Sequence, residues 1–214
     1  MLLRDNATER MKMRPCKSVK CPDFPCSDVN KDCYVVPDVE VEPDKVRSIM
    51  ISEAPPENRD DYFYAQGNPF YMQTTVQAFN DAGFKVSSME DVLNLGVYVT
   101  TAIKCAKTAY AIAPETIENC SLRILEKEIA LFPRIKTVLL MGDTAIKAMN
   151  LIAQRNDGRR LIPSGSTYKI RKNPYSYKQF RVFPSYLQTG KSYLIEKSKR
   201  KMIAEDIKTA LEHR

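Results

Sequence analysis

The sequence predicts an α/β fold, a three-layer α/β/α sandwich around a central, mainly parallel, four-stranded sheet. Four short apolar runs have the length and composition of buried strands, and amphipathic stretches with helical periodicity separate or follow them. Strands that alternate with helices predict βαβ crossovers, which make neighbouring strands parallel. The 214 residues, 43% of them hydrophobic, are enough for one full core, so we expect a single domain over residues 1–214.

Each element has a local signal. The predicted strands span residues 46–51, 97–103, 137–141 and 180–183. The predicted helices span residues 74–82, 114–132, 144–152 and 193–211. Gly83 ends the first helix, and Pro114 with Glu115 opens the second, because these residue types favour those positions. Asp143 can cap the third helix.

Residues 1–45 differ from the rest of the chain. They contain Cys16, Cys21, Cys26 and Cys33 together with five prolines, and they show little periodicity. Such a segment buries little on its own, so we expect it to form an arm that wraps the domain. We expect a metal centre to hold this arm on the domain, since metal binding can supply the free energy that orders the arm.

The composition excludes several classes of enzyme and predicts a compartment. His213 is the only histidine, which excludes an interior Ser-His-Asp or Cys-His site and a His-rich metal site. The spacing of the seven glycines excludes a GxGxxG loop and a Walker A loop. No signal peptide or membrane span is evident, so we expect a cytoplasmic protein that does not enter a membrane. Six cysteines in a reducing compartment favour metal binding or a core position over disulfides.

The positive charge is concentrated in one segment. Residues 159–201 contain twelve basic residues and one acidic residue, a net charge of +11, whereas the remainder has 21 basic and 25 acidic residues, a net charge of −4. Five tyrosines lie in the same segment. Basic residues interleaved with aromatic ones suit contact with phosphates and stacking on bases. The alternative is a solvated lysine-rich face.

The residues after the predicted strands carry the remaining signal, because ligands of parallel sheets bind at the carboxyl ends of the strands. These segments read SEAPP (52–56), TTAIKC (100–105), MGDTA (141–145) and FPSYL (183–187), and GNPF (67–70) precedes the first helix.

Taken in chain order, with GNPF between SEAPP and TTAIKC, the five segments resemble motifs of the uracil-DNA glycosylase superfamily. Within that superfamily they resemble the iron–sulfur, family-four type. The corresponding motifs of that type read GEAPG, TNxxKC, LG-x-TA, HPSYL and G-x-PF. The resemblance runs from about residue 16 to the C-terminal helix. It implies DNA as the partner and a protein that acts as a monomer on a base flipped out of the duplex.

The resemblance implies roles for individual residues. Glu53 matches the glutamate that positions the attacking water, Ala54 lines the base pocket, and Phe70 matches the aromatic ring that stacks on the base. Thr101 and Phe183 stand where the family has an asparagine that recognises the base edge and a histidine that supports the departing base. A hydroxyl cannot make the paired contact of an amide, and Phe has no side-chain donor. Both departures weaken the expectation of uracil specificity and of fast catalysis.

Contacts to DNA are implied on the following loop. Pro184 and Ser185 match the loop that enters the minor groove, and Gln188 and Lys191 lie just beyond it, where they can meet phosphates.

The resemblance also implies a [4Fe–4S] cluster. Cys105 and Cys120 match two of its ligands, and Cys26 matches a third by its distance from Val35-Val36. The family has a CxxC pair at the N-terminus, whereas Cys21 here precedes Cys26 by five residues, which leaves Cys16 and Cys33 as rival ligands. Four thiolates suit such a cluster. A zinc ion or unligated core thiols are the alternatives.

These observations lead to one main functional prediction. We expect a DNA glycosylase that hydrolyses the N-glycosidic bond of a deaminated base, uracil or a related one, in base excision repair. The first alternative is a glycosylase-fold iron–sulfur protein that binds DNA or damaged bases with little or no cleavage. A cluster-bearing electron carrier or redox sensor is the second, but it leaves the +11 segment unexplained.

Overall fold

The chain has a mixed α/β fold, seen in a computed structural model that describes residues 12–214. The strands are β1 (Val29–Asn30), β2 (Ser48–Ser52), β3 (Val97–Thr101), β4 (Ala106–Lys107), β5 (Thr137–Met141), β6 (Tyr175–Tyr177) and β7 (Phe180–Ser185). The α-helices are α1 (Pro15–Ser18), α2 (Phe70–Asp81), α3 (Met89–Asn94), α4 (Pro114–Cys120), α5 (Glu126–Ala130), α6 (Asp143–Asp157), α7 (Thr167–Ile170), α8 (Lys191–Ile195) and α9 (Lys197–Glu212). Short 3-10 turns span Lys31–Cys33, Pro43–Lys45 and Arg59–Asp61.

The main sheet has five strands in the order β3-β2-β5-β7-β6, and not the four that the sequence predicts. The four predicted strands are mutually parallel, as expected, and β6 is the additional strand, antiparallel to β7. β6 has only three residues and joins β7 through a two-residue turn in which Lys178 has a φ of 49°. A strand of three residues is too short to be recognised in the sequence as an apolar run.

Hydrophobic residues of the sheet contribute alternately to two core clusters, as the two-residue period of a strand requires. In β2, Ile49 and Ile51 belong to the cluster that contains residues of α4, α5 and α6. Met50 belongs to the cluster that contains residues of α2, α3 and α9. The buried strands therefore fix which loops meet at the carboxyl edge of the sheet.

Two predicted helices are interrupted. The helix predicted over 114–132 consists of α4, a π-helical turn over Ser121–Leu125, and α5. The helix predicted over 193–211 is divided at Glu196 into α8 and α9. Across residues 12–214, no helix combines the length and the apolar character that crossing a membrane requires.

The predicted arm, residues 1–45, can be followed from residue 12, and its first eleven residues lie outside the described part of the chain. β1 pairs with β4, and Val35 N–H donates to the Lys104 carbonyl at 2.7 Å. The Asp28 carboxylate accepts hydrogen bonds from Ala113 N–H and from the Thr116 hydroxyl. Protein contacts thus attach the arm to the segment that carries Cys105 and Cys120.

Candidate functional site

The parallel strands bring four of the sequence motifs to one edge of the sheet. Ser52 at the end of β2 is in register with Thr101 at the end of β3, and Met141 at the end of β5 is in register with Ser185 at the end of β7. Carboxyl ends of parallel strands form the usual binding edge of such sheets. The loop that carries Glu53 begins at this edge.

Glu53 has one carboxylate oxygen held by neighbours. Its Oε1 accepts a hydrogen bond from the Thr144 hydroxyl at 3.1 Å and lies 3.4 Å from Nζ of Lys107. Oε2 accepts no hydrogen bond from the residues that the structure describes, and the side chain is 23% exposed. The carboxylate is therefore oriented and partly charge-compensated, with one oxygen available to a ligand or a water molecule.

Thr144 and Lys107 are site residues that the sequence reasoning missed. Thr144 is in the first turn of α6, which Gly142 positions with a φ of 95°, a conformation that favours glycine. The motif MGDTA at 141–145 already contained Thr144, so the motif could have indicated it. Lys107 ends β4 and has no distinctive spacing in the sequence.

The predicted base-pocket residues near Glu53 differ in their surroundings. Ala54 is buried and packs in the core cluster with α4 to α6. Phe70 begins α2 with its N–H donating to Asp61 at 3.3 Å, and it is only partly buried. Thr101 is fully buried, and its hydroxyl has no hydrogen-bond partner among the described residues. The structure therefore brings the ends of β2 and β3, with Ala54 and Thr101, next to each other.

Phe183 is separated from this edge. It lies in the interior of β7, in register with Leu139, because the strand continues through Pro184 and Ser185 instead of ending at residue 183 as predicted. Its ring packs 5.9 Å from the ring of His213, at the C-terminal end of α9. The structure therefore assigns Phe183 to the core and does not bring it into a pocket with Glu53.

Only one of the four predicted DNA-contacting residues is exposed. Pro184, Ser185 and Gln188 are buried, and Lys191 is exposed. The Ser185 hydroxyl donates to the Asp206 carboxylate at 2.6 Å. In this conformation the three buried side chains are not available to a DNA strand.

The basic segment 159–201 is partly neutralised. Arg171 is buried and forms an ion pair with Asp206 at 2.7 Å, and Arg200 pairs with Asp81 at 2.7 Å. Eight basic residues of the segment are exposed: Arg159, Arg160, Lys169, Lys172, Lys178, Lys191, Lys197 and Lys201. Tyr168, Leu194 and Ile195 are exposed apolar or aromatic side chains in the same segment. The segment therefore presents both charge and apolar surface to a partner.

Four cysteines line one cavity between the arm and α4. These are Cys21, Cys26, Cys105 and Cys120, and the cavity between them is about 20 Å³, the space of about one water molecule. The loop from Cys21 to Cys26 contains no glycine, and Phe24 adopts a φ of 45° within it, a strained conformation for a bulky residue. This turn directs both cysteines of the loop toward Cys105 and Cys120.

The surroundings of Cys105 and Cys120 resist ionisation of these two thiols. Burial raises the pKa of Cys105 to about 12, and the nearby thiols of Cys21 and Cys26 add to this shift. Burial also raises the pKa of Cys120 to about 12, opposed by the charge of Lys104 and by its N–H, which lies 3.3 Å from the Cys120 sulfur. Within residues 12–214, no three His, Cys, Asp or Glu side chains converge closely enough to bind a single metal ion.

The two rival cysteines have other partners. The Cys16 thiol donates to the Asp38 carboxylate at 3.2 Å, and the Cys33 thiol donates to the Glu57 carbonyl at 3.1 Å. Neither lines the cavity shared by the other four. The geometry therefore favours Cys21 and Cys26 over Cys16 and Cys33.

A buried ion pair lies between the cysteine cavity and the edge of the sheet. Nζ of Lys104 is 2.5 Å from Oε2 of Glu128, and both side chains are almost fully buried. Glu128 Oε1 accepts hydrogen bonds from the hydroxyls of Tyr98 and Thr100, and Lys104 donates to the Thr101 carbonyl. The pair thus ties the end of β3 to α5.

Removing one partner of this ion pair is expected to destabilise the fold. We predict that Lys104→Met lowers the free energy of unfolding by about 3–5 kcal/mol, because it leaves the Glu128 charge buried without compensation. Chemical denaturation of the full chain measures this change. The double variant Lys104→Met/Glu128→Gln should recover most of the loss, and Lys12→Met, in an exposed pair with Glu40, should change nothing measurable. If Lys104→Met lowers the free energy of unfolding as little as Lys12→Met does, the stabilising role of the buried ion pair is contradicted.

Comparison with protein-family models and with curated proteins finds no match for this chain.

Proposed function

We propose that the chain is a DNA glycosylase that hydrolyses the N-glycosidic bond of a deaminated base, uracil or a related one, in base excision repair. This proposal rests mainly on Glu53, which lies at the carboxyl edge of a parallel sheet, with Oε1 held by Thr144 and Lys107 and Oε2 without a hydrogen bond from residues 12–214. A carboxylate held in this way can orient a water molecule. The resemblance of the surrounding motifs to the uracil-DNA glycosylase superfamily supports the choice of substrate.

The proposed reaction breaks the bond between the sugar and the base and forms a bond between the sugar and water. As the bond between sugar carbon C1′ and the base nitrogen breaks, the electron pair leaves with the base, and the sugar develops positive charge. Glu53 Oε2 accepts a hydrogen bond from water and directs the water oxygen to C1′, where the new bond forms. The proton that this water releases ends on the departing base. The negative charge of Glu53 also stabilises the cationic sugar.

Thr144 and Lys107 support this carboxylate in different ways. The Thr144 hydroxyl fixes the orientation of the carboxylate through Oε1. The Lys107 ammonium, 3.4 Å from the same oxygen, compensates part of the carboxylate charge and helps to hold the side chain in place. Both act on Glu53, and neither needs to touch the substrate.

We further propose that Cys21, Cys26, Cys105 and Cys120 hold a [4Fe–4S] cluster. The donor set fits, because four cysteines line one cavity, and in a cubane each thiolate binds a different iron and need not converge on one ion. The cavity of about 20 Å³ is too small for such a cluster, so the Cys21–Cys26 loop has to move outward when it binds. When bound, the cluster supplies structural cross-linking of the arm to α4.

We propose that the exposed basic residues of the segment 159–201 contact the DNA backbone. α8 presents Leu194 and Ile195 beside Lys191, and Lys197 follows at the start of α9. Apolar side chains flanked by lysines suit insertion between bases with phosphates held on either side. This surface takes over the role that the sequence assigned to Pro184 and Ser185.

We also propose that the fold is a three-layer α/β/α sandwich. The two core clusters support this arrangement, since alternate sheet residues pack with α4, α5 and α6 in one cluster and with α2, α3 and α9 in the other.

The proposed activity is tested with oligonucleotides that carry one uracil, hypoxanthine or xanthine, in single and double strands. We expect the iron-loaded full chain to convert at least one of these bases into an abasic site that alkali cleaves. If the chain converts none of them, the proposed activity is wrong. Tight binding to the same oligonucleotides without conversion would then support the alternative of a binding protein.

A further inference from the structure

A group of buried polar atoms lies beside the candidate site without protein partners. The buried side-chain oxygens in residues 12–214 that lack a hydrogen-bond partner include Ser52 Oγ, Tyr62 Oη, Thr75 Oγ1, Thr101 Oγ1 and Gln188 Oε1. Buried polar atoms are nearly always hydrogen-bonded, because leaving one without a partner destabilises the folded chain. Several exceptions in one region indicate a place where a polar ligand completes the hydrogen bonds.

The strand register and side-chain contacts place four of these atoms in one region, those of Ser52, Tyr62, Thr101 and Gln188. Ser52 and Thr101 are direct neighbours at the ends of β2 and β3. The Tyr62 hydroxyl lies close to the hydroxyls of Thr100 and Thr101, and burial raises the pKa of Tyr62 well above its ordinary value, so the phenol stays neutral. Gln188 Nε2 is 3.4 Å from the sulfur of Met50, which precedes Ser52 by two residues and points to the same face of β2.

Gln188 is the most informative member of the group. Its side chain is 0% exposed, and within residues 12–214 the one hydrogen bond of this side chain runs to a thioether sulfur, a weak acceptor. The amide combines two donors with one acceptor on adjacent atoms, which no hydroxyl can do. A glutamine with this burial and so few partners is suited to binding a ligand that offers a donor beside an acceptor.

We propose that Gln188 recognises the N–H and carbonyl edge of the flipped base, an inference that rests on the proposed function. The base N–H donates to Gln188 Oε1, and the adjacent base carbonyl accepts from Nε2. Uracil, hypoxanthine and xanthine all present this edge, and these are the bases that deamination produces. Thr101, Ser52 and Tyr62 supply further hydroxyls to the base oxygens. Because Gln188 is covered, the loop over residues 186–190 has to open when the base enters.

The test compares binding of uracil with that of 3-methyluracil, in which a methyl group replaces the N–H. Calorimetry on the full iron-loaded chain should show that uracil binds about 10- to 100-fold more tightly than 3-methyluracil, the value of one or two buried hydrogen bonds. Gln188→Leu, which removes donor and acceptor, should abolish this preference. Gln188→Glu, which keeps the size of the side chain but loses the amide donor, should also weaken uracil binding. Gln179→Leu, on the exposed turn between β6 and β7, is the matched control and should retain the wild-type preference.

The outcomes separate this inference from the proposed function. If the chain releases bases from DNA but Gln188→Leu keeps the wild-type preference for uracil over 3-methyluracil, the role of Gln188 is wrong and the glycosylase proposal stands. If the chain releases no base but binds uracil in a manner that depends on Gln188, the base pocket stands and the glycosylase proposal is wrong. Equal affinity of the wild-type chain for the two bases, or no binding of either, overturns the inference.

Discussion

Glu53→Gln is expected to slow base release by about 100- to 10,000-fold, the usual contribution of a group that handles protons in a transition state. The amide keeps the size of the side chain and can still contact the Thr144 hydroxyl, but it carries no negative charge and accepts a proton poorly. Single-turnover release of the base from a labelled oligonucleotide measures the effect. Affinity for the oligonucleotide should stay within about twofold, because the change removes an interaction of the transition state.

Glu57→Gln is the matched control for this variant. Glu57 is an exposed acid four residues further along the same loop, so its substitution makes the same change of charge away from the edge of the sheet. Base release by Glu57→Gln should equal that of the wild-type chain. If Glu53→Gln retains the wild-type rate, Glu53 does not position the water, even if the chain is a glycosylase.

Replacement of single cysteines is expected to divide the six residues into two groups. Cys21→Ser, Cys26→Ser, Cys105→Ser and Cys120→Ser should each lose most of the bound iron, because each removes one of the four thiolates that line the cavity. Cys16→Ser and Cys33→Ser should keep about four irons per chain, since these residues bond to Asp38 and to the Glu57 carbonyl instead. Iron analysis and the broad visible absorption of iron–sulfur proteins measure the difference.

The loss of iron is also expected to loosen the arm. Proteolysis of residues 12–45 should be faster in Cys105→Ser than in Cys16→Ser, because the cluster cross-links the arm to α4. Stoichiometric zinc without iron in the wild-type chain would contradict the cluster. Iron loss in Cys16→Ser or Cys33→Ser, with retention in Cys21→Ser or Cys26→Ser, would contradict the choice of ligands.

The sequence predicted the four parallel strands because each is a continuous apolar run, but the end of β7 depends on packing. The last strand is predicted to end at residue 183, directly before Pro184. Proline has no N–H to donate to a neighbouring strand. β6 pairs only with residues 180–182, so β7 has a free side at Pro184, and the strand can continue to Ser185 while pairing with β5 on the other side. This extension of two residues buries Phe183 and Ser185. It also explains why Phe183 is absent from the edge that carries Glu53.

The candidate site was predictable where it follows directly from a strand. Glu53 comes immediately after the run of β2, so its place at the carboxyl edge follows from the parallel sheet. Lys107 reaches Glu53 only because β4 pairs with the arm, and no local pattern predicts such a pairing. The choice among Cys16, Cys21, Cys26 and Cys33 likewise needs the conformation of the loop around Phe24, a conformation that non-glycine residues rarely adopt.

Hydrolysis of an N-glycosidic bond yields a free base and an abasic sugar in equal amounts, and this equality shows directly whether the chain is a glycosylase. The wild-type chain is incubated with a uracil-containing oligonucleotide, and mass spectrometry quantifies both products over time. We predict that free uracil and abasic oligonucleotide accumulate in a one-to-one ratio, and that Glu53→Gln forms both far more slowly. Absence of both products with every deaminated base, or strand breakage without a free base, would contradict it.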